Sequence, residues 1–188
     1  MSQSIALPDN GLVALTRDSL LALRVALFRD FGPNAAASLQ EAGYACGQAI
    51  YDAFTRWLTD RGFGEPESLP AMEFASQAGE FLHGLGWGAI ELGQLGDVAT
   101  IDAADWAESD AGHPLEFPGC YYSAGMFADL FGRLAGEPVA VMEVECRSMG
   151  ASRCRWLVGT GEMMQHVYDQ MGQGVSYDEA LLSIPAST

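Results

Sequence analysis

The sequence predicts an α/β (α+β) protein in which an antiparallel sheet of about four to five strands packs against helices. Three observations support this fold class. Apolar residues recur at helical spacing through much of the first half and again in the last third. Between and after those segments they alternate with polar residues over short stretches, as in strands. The chain has 188 residues, of which 49% are hydrophobic and only 18% are charged, which is enough for one domain with a substantial core.

The first half is expected to be mainly helical. After a short edge strand at 12–15, one helix is predicted at 18–31, where a Gly-Pro pair ends it. A longer helix at 34–61 has apolar residues on two sides, so it is expected to lie at the centre of the domain or of a dimer. A third helix is predicted at 68–83. Glycines within the helical segments indicate that other groups pack close to the helix backbone.

The second half is expected to alternate strands and helices. Strands at 89–95 and 98–104 follow one another across a Gly-Asp turn. Strands at 139–146 and 153–158 form another antiparallel pair, and residues 107–119 are expected to form an exposed loop. The remaining helices are predicted at 120–134, at about 162–171, and in a short segment beginning at Ser176.

The composition narrows the class of partner and the compartment. A formal net charge of −16 argues against nucleic acid and against an anionic membrane surface, because both would repel the chain. No apolar run approaches the roughly 20 residues that a membrane span needs. The first residues lack the features of a secretory signal, and the thiols are better explained by a metal than by disulfides. We therefore expect a cytoplasmic protein.

Four residues in the last third have the chemistry of a metal site: Cys120, Glu143, Cys146 and Cys154. They are separated by 23, 3 and 8 residues. Thiolates and a carboxylate are ordinary zinc ligands, and four protein ligands describe a structural site. The alternative is that the cysteines are small core residues and that Glu143 points to water. Strict strand alternation would place Glu143 and Cys146 on opposite faces, so convergence requires a twist or bulge near the end of the strand.

Residues 86–160 resemble the 4-vinyl reductase domain, which is named for bacteriochlorophyll enzymes and also forms the effector-sensing part of aromatic-responsive transcription activators. The family pattern is a Cys that opens a Gly-containing helix, an E-x-x-C hairpin, a Gly, and a final Cys before an apolar strand. Its elements here are Cys120, Gly125, Gly132, the segment 143–146, Gly150 and Cys154. GWG at 86–88 and the stretch 166–181 are similar to stand-alone members of the vinyl-reductase branch.

The resemblance implies several properties. The fold is similar to that of TRAPP subunits, which are often dimeric through their N-terminal helices. The domain would span residues 1–188, with a helical part at 1–85, a zinc-binding core at 86–160 and C-terminal helices at 161–188. In the activator sensors the four matching positions hold a zinc ion, so Cys120, Glu143, Cys146 and Cys154 are its implied ligands.

The resemblance also implies a hydrophobic, planar ligand such as a tetrapyrrole, bound between the sheet and the preceding helices. For the vinyl-reductase branch this would be a divinyl (bacterio)chlorophyllide, for reduction or for delivery to a partner enzyme in bacteriochlorophyll biosynthesis. The alternative is a stand-alone sensor or adaptor that acts through protein contacts. The candidate ligand-binding residues are His83, Trp87, Trp106, Tyr122, Phe127 and Phe131. Each could instead simply fill the core or, for His83, cap a helix end.

Two features bear on catalysis and on the ligand. The aromatic-responsive sensors carry a Trp in the strand before the zinc helix, and the segment 98–102 has none, which argues against a simple phenol sensor. Gly159-Thr160-Gly161 lacks the third glycine of a dinucleotide-binding turn, and no nicotinamide or flavin site is recognisable. The chain is therefore expected to be either a 4-vinyl reductase or a non-catalytic accessory protein, with no catalytic residue identified.

Overall fold

A computed structural model describes residue 7 and residues 11–184, so the ends of the predicted domain lie outside the described part. In order, the elements are α1 (Arg17–Phe31), α2 (Asn34–Asp60), α3 (Ala71–Gly84), β1 (Glu91–Leu95), β2 (Val98–Ala103), α4 (Tyr121–Ala135), β3 (Ala140–Glu145), β4 (Cys154–Gly159), α5 (Gly161–Met171) and α6 (Tyr177–Leu182). No helix in this part of the chain is both long and apolar enough to cross a bilayer.

The four strands form one antiparallel sheet in the order β1-β2-β4-β3. The α+β class with an antiparallel sheet is therefore confirmed. The edge strand predicted at 12–15 is wrong, since these residues form no strand and the sheet edges are β1 and β3. The apolar side chains that suggested it, Val13 and Leu15, are exposed, and residues with no neighbouring strand to pair with gain nothing from an extended ladder.

Helices cover both faces of the sheet. On one face α2, α3 and α4 enclose the main core, whose largest buried side chains include Phe54, Phe81, Trp106, Phe127 and Trp156. On the other face α5 and α6 cover a second, smaller core. Its fully buried members are Val98, Leu157, Val167 and Ala180. This arrangement explains why the long helix α2 showed apolar residues on more than one side: it lies inside the helical layer.

The contact between α2 and α4 depends on glycine. A Cβ atom at Gly43 of α2 would collide with the backbone carbonyl of Tyr122, and one at Gly125 of α4 would collide with the carbonyl of Gln40. The two helix backbones therefore approach more closely than any other residue would allow. The glycines predicted to mark close packing do so here, and they fix the position of α4, whose first turn carries the candidate metal site.

Candidate metal centre and ligand cleft

The structure brings the four predicted metal ligands together. Cys120 immediately precedes α4, Glu143 lies in β3, Cys146 follows that strand and Cys154 opens β4. One ligand atom from each lies within 4.8 Å of the others, and all four residues are buried. The site thus joins a helix start to a β-hairpin, as the spacing predicted.

A β-bulge brings Glu143 and Cys146 to the same side. Glu143 is opposite Trp156 in β4, whereas Glu145 is opposite Arg155, so Val144 is an extra residue on the β3 side. Such a bulge shifts the alternation of side chains by one position. The irregularity required for convergence is therefore present at the end of the strand.

The distances fit a tetrahedral metal ion. Cys120 Sγ lies 3.9 Å from Cys146 Sγ and 3.9 Å from Cys154 Sγ. Sulfurs bonded to one zinc ion at about 2.3 Å with tetrahedral angles would be about 3.8 Å apart. Glu143 Oε2 accepts the backbone N–H of Cys120, while the buried Glu143 Oε1 has no hydrogen-bond partner among the described residues. A buried carboxylate oxygen needs a partner, and a metal ion held with the three thiols would supply it.

The electrostatics of the cluster also call for a cation. Burial raises the pKa of Cys120 and that of Glu143 well above their ordinary values, with repulsion from neighbouring acidic groups adding to the effect. Hydrogen bonds from the Cys120 and Cys154 thiols lower the pKa of Cys146, so one thiolate is stabilised by its neighbours. Without a cation the four groups could not all be ionised in this volume, whereas a bound divalent ion reverses that balance.

Backbone donors support the sulfurs. The N–H of Gly119 donates to Cys146 and the N–H of Arg147 donates to Cys154. Such outer contacts orient metal ligands and stabilise their anionic form. Both come from the segments that flank the ligands, so the local chain path that delivers each thiol also satisfies its neighbour.

Glu108 is a functional residue that sequence reasoning did not single out. The loop 107–119 was expected to be exposed, and this is wrong for Glu108, which is only 4% exposed. Its carboxylate accepts the backbone N–H groups of Tyr122 and Ser123 in the first turn of α4. Burial raises the pKa of Glu108 to about 7, although these hydrogen bonds act in the opposite direction. No motif signals this contact, because it joins a loop to a helix start only in the folded chain.

Five of the six predicted ligand-binding residues form one continuous aromatic row. Trp87 stacks between Trp106 and Tyr122, and Trp106 also contacts Phe127, which in turn contacts Phe131. Trp106 and Phe127 are fully buried, so they pack the core between the sheet and α4.

His83 does not join the row of predicted residues. It is exposed in the last turn of α3. The structure thus separates it from the five aromatic residues, and a ligand role for each of the six stays a prediction.

An open cleft of about 570 Å³ lies at the far end of this row. It is bounded by the start of α3, strand β1 and the last turns of α4. Phe131 is the one predicted ligand residue that lines it. The other large apolar residues of the lining are Leu69, Met72, Phe74, Leu92 and Leu134. We call this the β1 cleft. Its polar side chains are Glu67, which accepts a hydrogen bond from Tyr51, and Gln94.

The fold and the buried cluster define a small α+β domain with a candidate structural metal centre at the junction of a helix and a hairpin. Residues 107–160 match the family model of the vinyl-4-reductase (V-4-R) domain. This segment contains all four candidate ligands, and the match confirms the resemblance to the 4-vinyl reductase domain. No curated protein matches the chain significantly.

Two solved structures are similar to the chain. The phenol-responsive sensory domain of the transcription activator PoxR, solved with phenol, has a TM-score of 0.64 at 16% sequence identity. That likeness covers 87% of this chain and 82% of the other, and it supports the fold. A vinyl-4-reductase family protein from Methanocaldococcus jannaschii has a TM-score of 0.48 at 18% identity, covering 84% of this chain and 82% of that one.

Proposed function

We propose that the chain is a zinc-stabilised domain that binds a hydrophobic small molecule. The metal part rests on one observation: three sulfurs and a carboxylate oxygen lie within 4.8 Å of one another in a buried site. Cys120, Glu143, Cys146 and Cys154 would hold the ion. A zinc ion bound by four protein groups has no open position for substrate, so its role would be to hold α4 against the β3–β4 hairpin.

The proposed ligand site is the β1 cleft. Its volume of about 570 Å³ falls within the usual range for small-molecule sites, and its lining is mostly apolar. It lies between the sheet and the preceding helices, where a planar hydrophobic ligand was expected. Phe131 connects the cleft to the buried aromatic row, so a ligand there would contact side chains held rigidly by the core. The sensory domain with phenol supports small-molecule binding by this fold.

The first ligand to test is a divinyl (bacterio)chlorophyllide, for reduction or for delivery to another enzyme in bacteriochlorophyll biosynthesis. One observation favours the second candidate, a stand-alone sensor or adaptor for a neutral ligand. Among the described residues that line the cleft there is no Arg, Lys or His, and Glu67 contributes a carboxylate. A pigment with a free carboxyl group would find no cation there to pair with.

The remaining expectations are part of the same proposal. Residues 1–188 would form one domain divided at 85 and 160, in the cytoplasm, where thiols stay reduced. A homodimer through the N-terminal helices is supported by exposed apolar side chains on and beside α1. These are Val13, Leu15, Leu23, Val25 and Phe31.

Native mass spectrometry of the protein purified from its own host tests the proposal. We expect about one zinc ion per chain, a dimer, and a retained apolar ligand. A pigment would support the chlorophyllide candidate, and added NADPH would then show whether its vinyl group is reduced. Ligand-dependent association with a second protein, without pigment, would support the sensor or adaptor. A folded protein with no metal would contradict the zinc assignment.

A further inference from the structure

Arg24 is a buried cation on an otherwise exposed helix. It is only 3% exposed and is the single buried residue of α1. Its Nη1 donates to the carbonyl of Glu108 at 2.8 Å and to the carbonyl of Gly119 at 3.3 Å. Its Nη2 has no hydrogen-bond partner among the described residues. A guanidinium bonded only to neutral carbonyls needs nearby anions to offset the cost of its burial.

The carbonyl of Gly119 leads directly to the metal centre. It belongs to the peptide unit that joins Gly119 to Cys120, and the N–H of that unit donates to Glu143 Oε2 at 2.8 Å. One planar peptide group therefore accepts a hydrogen bond from Arg24 and gives one to a candidate metal ligand. Hydrogen bonds in such a chain polarise one another, so the cation strengthens the bond that orients the carboxylate.

The charge of the centre supplies the missing anions. Three thiolates and one carboxylate carry four negative charges, a divalent ion neutralises two, and two remain in a buried site. Glu108, whose carbonyl Arg24 also contacts, adds an acidic group nearby. A fixed positive charge beside the cluster lowers the free energy of this excess negative charge.

We propose that Arg24 is a positioning residue of the metal centre. Through the Gly119–Cys120 peptide group it orients Glu143, and its charge offsets the net negative charge of the loaded site. Helix α1 is thereby coupled to the metal. The inference rests on the proposed metal binding by the four ligands.

The test compares the rate of zinc release from the whole, zinc-loaded protein to a chromogenic chelator at constant pH. Arg24→Met keeps an apolar side chain of similar length and removes the charge, whereas Arg24→Lys restores a charge. Arg29→Met is the matched control, because Arg29 lies on the same helix, is exposed and pairs with Asp30. We expect Arg24→Met to release zinc about tenfold faster, Arg24→Lys to recover most of that loss, and Arg29→Met to match the wild type.

A further variant separates charge from helix docking. Phe28 of α1 packs on Tyr121, so Phe28→Ala loosens α1 without changing any charge. Equal release from Phe28→Ala and Arg24→Met would overturn the proposal, as would wild-type release from Arg24→Met. If Arg24→Met does not fold, slower release from Arg24→Lys than from Phe28→Ala supports the proposal, and the reverse order overturns it. A wild-type protein without metal would instead contradict the proposed function itself.

Discussion

The carboxylate of Glu108 accepts the backbone N–H of Ser123 at 2.8 Å, and so a loop residue caps helix α4. The residue that precedes this helix is Cys120, whose side chain makes no capping hydrogen bond. Its sulfur is directed to the other two thiols instead. The first turn of a helix has backbone N–H groups without partners in the helix, and Glu108 accepts two of them in place of the usual capping residue.

This cap predicts a dependence of stability on pH. The pKa of Glu108 is about 7 in the folded protein against an ordinary 4.5, because the group is buried. The folded state therefore binds this proton more tightly than the unfolded state. The resulting stability is fully present below pH 4.5 and is lost as the pH rises to about 7.

The matched comparison is Glu108→Gln, which cannot ionise. We expect the free energy of unfolding of the wild type, relative to the variant, to fall by roughly 3 kcal/mol between pH 4.5 and 7. Urea unfolding of both proteins at several pH values, at one zinc concentration, measures this difference. A difference that stays constant or grows over that range would contradict the prediction.

Loss of a metal ligand is expected to destabilise the whole domain. Cys146→Ser or Cys154→Ser should lower the free energy of unfolding by several kcal/mol, because a structural zinc ion contributes directly to folding. Elemental analysis should show about one zinc per wild-type chain and less in either variant. Cys46→Ser is the control, since Cys46 is a free thiol outside the cluster. Unchanged melting temperatures in both ligand variants would rule out this role for the metal.

The helix crossing is expected to tolerate no side chain. Gly43→Ala and Gly125→Ala should each cost about 1–3 kcal/mol, because the new methyl group would meet backbone atoms that can move only with the opposing helix. Gly161→Ala is the control, since it lies at the start of α5 and a Cβ there has no neighbour within 4 Å. Thermal or urea unfolding decides the matter. Equal stability of all three variants would show that α2 and α4 are further apart than described.

The charge of the β1 cleft is expected to select its ligand. Met72 is 88% exposed and lines the cleft, so Met72→Arg adds a cation at its rim. We expect tighter binding of a carboxylate-bearing pigment and weaker or equal binding of a neutral apolar dye, both followed by fluorescence titration. Leu182→Arg, at an equally exposed position on α6 outside the cleft, is the control. An identical response from the two variants would remove the ligand from this cleft.

Most elements could be placed from the sequence because their signals are local. The helices and strands lie within a few residues of their predicted positions, since apolar spacing and turn residues act over one element at a time. The four metal ligands could be named because their chemistry is distinctive and their spacing resembles that of a known family. Arg24 carried a weaker signal, an arginine at helical spacing between Leu20 and Leu27.

Local patterns were thus enough to establish the α+β class, the order of the elements and the identity of the residues able to hold a metal. It took the folded chain to show that a bulge at Val144 turns Glu143 towards the three sulfurs, that Glu108 caps α4, and that Arg24 reaches the peptide group before Cys120. These contacts join residues that are distant in the chain. Their energies depend on burial and on distances between elements, which no periodic pattern in one segment records.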